Sequence, residues 1–132
     1  MSIQQGVRAA MLAEPTITNI TSNVYVNRQP QGSTLPNVTI IKTDEDANNT
    51  LSGASNLRFA GFQVECRGAS ERSAIVLADT IIAHMEDYTG AMGSNTCLAS
   101  FYEGSDDDTE NLGDGSDVDL HITTINFQFQ YN

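Results

Sequence analysis

Apolar positions along this chain switch between helical and strand periods. Ile3, Val7, Ala10 and Met11 recur at helical spacing, and Ser2 with Gln5 three residues on forms a capping-box start. A short helix is therefore expected over 2–13, weakened by Gly6 and ended by Pro15. Val24-Tyr25-Val26-Asn27 reads as a short strand. The segment 28–36, with two prolines and a glycine, reads as a loop. Val38 and Ile40 alternate with polar neighbours, which predicts a strand over 37–43, and residues 44–50 read as a polar turn or long hairpin tip.

Residues 57–67 predict a longer strand with a change of phase. Leu57, Phe59 and Gly61 share one parity, while Phe62, Val64 and Cys66 share the other. Side chains alternate faces strictly, so the change calls for a bulge at Ala60-Gly61. Ser70 suits an N-cap, and Ala74, Leu77, Ala78, Ile81, Ile82 and Met85 form an apolar face, so the main helix is expected over 70–87, stopped by Gly90. Glu86 and Asp87 sit at the end of the dipole that disfavours acids. Residues 97–103 read as a strand and Gly104 to Asp117 as an acidic loop. In the last strand, 118–131, the apolar parity passes from Val118, Leu120 and Ile122 to Ile125, Phe127, Phe129 and Tyr131, which suggests a second bulge at Thr123-Thr124. Straight, that strand spans roughly 45 Å, against about 35 Å for a compact domain of this length, so it bends or protrudes.

These elements predict one α+β domain over 1–132: an antiparallel or mixed sheet of four to five strands with two helices packed on one face. The 132 residues suit a single domain, and 39% apolar residues make a modest core. No apolar run is long enough to span a membrane, and the N-terminus lacks the pattern of a secretory signal, so an intracellular protein with no membrane partner is expected. Cys66 and Cys97 show no metal-ligand spacing and read as two buried free thiols. The sequons at Asn19, Asn37 and Asn48 read as chance.

Charge sharpens the picture. The net charge is −11, and no Lys or Arg follows Arg72. Such a surface repels phosphates, which excludes nucleic-acid binding by charge neutralisation but suits a wall that DNA slides past. Candidate chemistry is sparse. His84 and His121 lack nucleophile partners, and there is no phosphate loop, dinucleotide fingerprint or His-Glu-x-x-His motif, so no enzyme and no cofactor are expected. Asp106, Asp108, Glu110 and Asp117 superficially track a calcium loop at positions one, three, five and twelve. Asn111 replaces its turn glycine, however, and Asp117 its bidentate Glu, so a solvated acidic loop carrying Asp106, Asp107, Asp108, Glu110 and Asp114 is the plainer reading. Arg28 in the proline-flanked loop is a candidate partner for an acid on a neighbour. Phe127, Phe129 and Tyr131 read as core or, where the last strand is exposed, as part of a subunit interface.

The order of these pieces resembles the tail-completion or tail-terminator (tail-to-head joining) proteins of long-tailed phages. The resemblance runs through Val7-Arg8-Ala9-Ala10-Met11-Leu12, Val24-Tyr25-Val26, Arg28-Gln29-Pro30-Gln31-Gly32 and Leu35-Pro36-Asn37-Val38-Thr39-Ile40. It continues in Phe62-Gln63-Val64-Glu65-Cys66-Arg67, the helix with Ala74, Leu77 and Ala78, and the aromatic last strand. It covers nearly the whole chain, in patterns of residue type rather than a chemical signature. It implies an α+β subunit of a six-fold ring in the virion, made in the host cytoplasm. One face of the ring caps the tail-tube protein and the other meets the head-completion or neck protein. DNA passes through without specific binding, and no catalytic residues carry over. The strong acidity of 104–117 departs from that pattern. Another neck-ring or tail-tube subunit, or an acidic calcium-binding or adaptor domain, are the alternatives.

Overall fold

A computed structural model of the chain describes residues 3–27, 34–50, 53–111 and 119–132. Among them the order is α1 (Ile3–Leu12), α2 (Pro15–Thr18), β1 (Val24–Val26), β2 (Asn37–Thr50), β3 (Gly53–Gly68), α3 (Glu71–Met85), β4 (Gly90–Met92), β5 (Asn95–Asn111) and β6 (Asp119–Tyr131). The architecture is α+β with a mixed six-stranded sheet, order β1-β2-β3-β6-β5-β4. Only β1–β2 is parallel among the described pairs. The expectation of four to five strands and two helices is thus extended. The added strand is the three-residue β4, too short to leave a periodic signal, and the added helix is a single turn that Pro15 opens. Pro15 does end α1, but it also occupies the first position of α2, where its missing N–H costs nothing. Glu14 caps that turn, accepting from the Thr16 N–H at 3.3 Å.

The helices cover one face. Val7, Met11, Leu77, Ile81 and Met85 pack with Val38, Ile40, Phe62, Val64, Ile125, Phe127 and Phe129 in one buried cluster. Each fully buried aromatic or branched side chain contributes about 1.5–3 kcal/mol. An aromatic ladder crosses three strands: Tyr102 meets Phe127 edge-on at 5.7 Å, Phe127 stacks on Phe129 at 5.8 Å, and Phe62 tilts against Phe129 at 5.4 Å. Gly6 is explained by close approach: a Cβ there would collide with the Met92 carbonyl oxygen, so α1 rests directly on the β4 backbone. Ser70 caps α3 as expected, accepting from the Ser73 N–H at 3.1 Å. The helix ends at Met85, not 87. Glu86 already has extended backbone and Asp87 has φ 57°, so these acids lie beyond the dipole's end. The proposed capping box rests on Ser2, outside the described residues.

Both expected bulges fall elsewhere. β3 and β6 pair without a break from Arg58↔Tyr131 to Gly68↔His121. The irregularities lie on the outer partners, at Lys42/Asp44 and Ala47/Asn49 in β2, and at Cys97/Ala99 and Tyr102/Gly104 in β5. The apparent phase changes arise because both faces of these strands carry apolar residues. Ala60, Phe62, Val64 and Cys66 hold the buried parity throughout, with half-buried Phe59 on the other side. Thr123 likewise continues the buried parity of Ile125 and Phe127, while Leu120 and Ile122 belong to the opposite face. Gly61 sits opposite the β2 irregularity, where its N–H donates to Asp44 Oδ1 at 3.0 Å and a side chain would displace that carboxylate.

The acidic loop expected over 104–117 is largely strand, since β5 continues to Asn111 and pairs with β6 through Asn111↔Asp119. The tip expected over 44–50 is strand to Thr50. The long last strand is β6, paired with β3 only as far as His121 and with β5 on to Asp119, so it protrudes past the edge of β3. The β2–β3 hairpin extends past the Tyr131 end of the sheet, and the β5–β6 hairpin past the Gly68 end.

Candidate assembly surfaces

The sheet's uncovered face has its own composition. Phe59, Gln63 and Glu65 of β3 align with Gln130, Asn126 and Thr124 of β6, and β6 aligns in turn with Phe101 and Asp106 of β5. Phe101 is half exposed and Leu98 nearly so. Arg67 lies across this face, donating to Thr39 Oγ1 at 2.8 Å and pairing with Glu65. No described helix covers it.

The two ends of the sheet differ in charge. At the Gly68 end, Asp107 faces the helix side and accepts from Thr123 Oγ1 at 2.9 Å. With Glu71, Thr109 and His121 it lines a cleft of about 380 Å³ beside the start of α3. Asp106 and Asp108 alternate with Asp107 along β5, opposite Thr124 and Ile122, and all three are exposed. At the Tyr131 end, Lys42, Glu45, Arg58, Gln4, Asn95 and Tyr131 line a cleft of about 300 Å³. Lys42 pairs with Glu45 at 3.1 Å, and the Tyr131 hydroxyl donates to Glu45 Oε1. The Tyr131 bond, with help from Lys42, holds the Glu45 carboxyl below its ordinary value, while burial and the same carboxylate push the Tyr131 phenol up.

The sequence candidates fare differently. Phe127, Phe129 and Tyr131 are core: they are 0%, 0% and 3% exposed on the helix side. Of the two sequence readings, core and interface, the core reading describes them, because their parity points them under the helices and not into solvent. Asp106 and Asp108 do share one face of β5, while Glu110 is placed by its backbone pairing with Leu120. Asp114 and Asp117 fall outside the described residues, as does Arg28. A calcium loop is not what this segment forms up to Asn111, since strand pairing prevents the side chains from wrapping around one centre. Among the described residues, no group of three or more His, Cys, Asp or Glu is placed to hold a metal ion.

His84 is structural, with Nε2 3.2 Å from the Ala10 carbonyl and Nδ1 3.3 Å from Glu14 Oε2, tying α3 to α1 and α2. His121 Nδ1 lies 3.5 Å from Thr109 Oγ1. Cys66 and Cys97 are free and buried, opposite Thr123 and Tyr131 of β6 and thus roughly 26 Å apart along the sheet. Burial raises the pKa of both thiols, that of Cys97 to about 11. The cationic cleft was missed from sequence. Its only signal was that Tyr131, Arg58 and Glu45 share the helix-side parity, and that becomes visible only once the strand register is known.

The fold class is thus an α+β sheet with helices on one face and charged hairpins at both ends. No family model matches the sequence, and no curated protein matches it. Among solved structures, the fold is similar to that of a chain in the virion of a native gene transfer agent (GTA) particle. The TM-score is 0.67 at 11% identity, covering 97% of this chain and 92% of that one.

Proposed function

We propose that this chain is a non-enzymatic structural protein of a virion, one subunit of the six-fold ring that ends the tail tube of a tailed virus and joins it to the head or neck. The carrying observation is the fold shared, nearly end to end, with a chain of a gene transfer agent virion. The sequence resemblance to tail-completion proteins was drawn from different features and supports the same reading. Its partners are further copies of itself, the tail-tube protein and the head-completion or neck protein. DNA passes through the ring unbound, which suits a net charge of −11. The chain works in the virion after assembly in the host cytoplasm. No described helix is long and apolar enough to cross a membrane, and the role needs no membrane and no cofactor.

The alternative in the same class is another neck-ring or tail-tube subunit. Immunogold labelling of intact particles decides between them. A terminator gives label confined to the head–tail junction, and its loss gives tails of uncontrolled length. Label along the whole tail would assign the chain to the tube, and particles without label would refute the virion role.

A further inference from the structure

Of the chain's six Lys and Arg residues, three of those described are engaged internally: Arg8 donates to the Val24 carbonyl, Lys42 pairs with Glu45, and Arg67 pairs with Glu65. Arg58 is exposed at the mouth of the cleft at the Tyr131 end, close enough to Glu45 to favour its charged form, and with Lys42 it gives that cleft two cations against one carboxylate. That cleft therefore presents a net positive, fork-shaped donor in a strongly negative molecule. The opposite end presents three exposed acids on β5, Asp106, Asp107 and Asp108, with Asp106 and Asp108 on one face, and Glu71 and Arg72 follow one another at the start of α3. The rows Arg58↔Tyr131 and Asp108↔Ile122 are nine residues apart along β6, roughly 30 Å. A Debye length is about 8 Å at physiological salt, so the two ends cannot neutralise each other within one chain.

We propose that these unlike ends meet between copies: the Asp106/Asp108 end of the β5–β6 hairpin of one subunit docks on the Arg58 cleft of the next. The guanidinium fork suits a carboxylate pair, and complementary charge sets the register of approach. A contact between unlike ends is heterologous, so it closes into a ring or runs on as a filament. The contact rests on the proposed ring for its closure at six copies.

The test uses the full chain in three forms: wild type, Arg58→Glu, and the double variant Asp106→Lys/Asp108→Lys. All three positions are exposed, and unchanged circular dichroism and thermal midpoints verify folding; Arg58→Ala and Asp106→Asn serve should a reversal misfold. Sedimentation velocity from micromolar to millimolar is expected to show each reversed variant self-associating roughly tenfold or more weakly than wild type. Mixing the two variants one to one should restore assembly, with both masses in equal number in the native mass spectrum, because each now offers the other a complementary end. Variants that assemble like wild type, or a mixture no better than its components, would overturn the contact while leaving the ring itself standing. A wild-type chain that stays monomeric throughout would overturn it too, and would leave open a ring built on the tube end.

Discussion

The two faces of the sheet are made by the same strands and obey different rules. On the helix side, alternate residues of β3 and β6 are large and apolar, and buried to near completion: Phe62, Val64, Ile125, Phe127 and Phe129. One residue along, on the other side, stand Gln63, Asn126, Gln128 and Gln130, with Phe59 and Phe101 among them. The helix side is fixed by packing, where one lost methylene is felt. The uncovered side and the charged ends are free to vary with whatever they meet. In the proposed role, the contacts with other subunits fall on that second set of positions.

Substitution separates the two faces. Phe127→Ala should cost about 3–5 kcal/mol in urea unfolding, since the ring leaves a cavity between Phe129 and Tyr102. Its neighbour Gln128→Ala, opposite Phe101 on the uncovered face, should stay within about 0.5 kcal/mol. Similar costs at the two positions would erase the distinction. Gly6→Ala tests how closely α1 seats on the helix side: the added methyl meets the Met92 carbonyl, and about 1–3 kcal/mol should be lost. A neutral or stabilising result would place α1 farther from β4. Ser70→Ala removes the cap of the helix that covers the aromatic ladder and should lower stability by about 1 kcal/mol, checked by thermal melting.

The smallest effect is one of pH. Hydrogen bonding by Tyr131 depresses the Glu45 carboxyl in the folded state. That contribution is therefore present above the ordinary value of 4.5 and is lost as pH falls through the depressed folded value. Glu45→Gln should flatten the acid limb of the stability profile below pH 4.5 and leave the neutral range nearly level. An unchanged acid limb would mean that the Tyr131–Glu45 bond does not persist in solution.

Much of the helix side was legible in the sequence. Ile3, Val7, Ala10 and Met11 marked α1, and Ser70 with the Ala74–Met85 stripe marked α3, because helical periodicity and caps are local signals. The register was not legible. Leu120 and Ile122 resemble a phase change when seen along one strand, and only the pairing of β6 with β3 and β5, unbroken through Thr123-Thr124, shows them to be the other face. Residues 104–111 read as loop because Gly and Asp disfavour strands. Pairing with β6 overrides that propensity. The Arg58 cleft joins residues from α1, β2, β3, β5 and β6, so no stretch of sequence contains it. The similar fold of a virion chain at 11% identity makes the same point: this fold does not depend on most of these particular side chains.

The central claim is that copies of this chain close into a six-membered ring. Native mass spectrometry of the purified protein across concentration, with electron microscopy of any assembly, tests it most directly. The account predicts a closed species of about 85 kDa, six copies at 14.2 kDa each, seen as an annulus. Open-ended cylinders of indefinite length, or a closed species of another copy number, would contradict it.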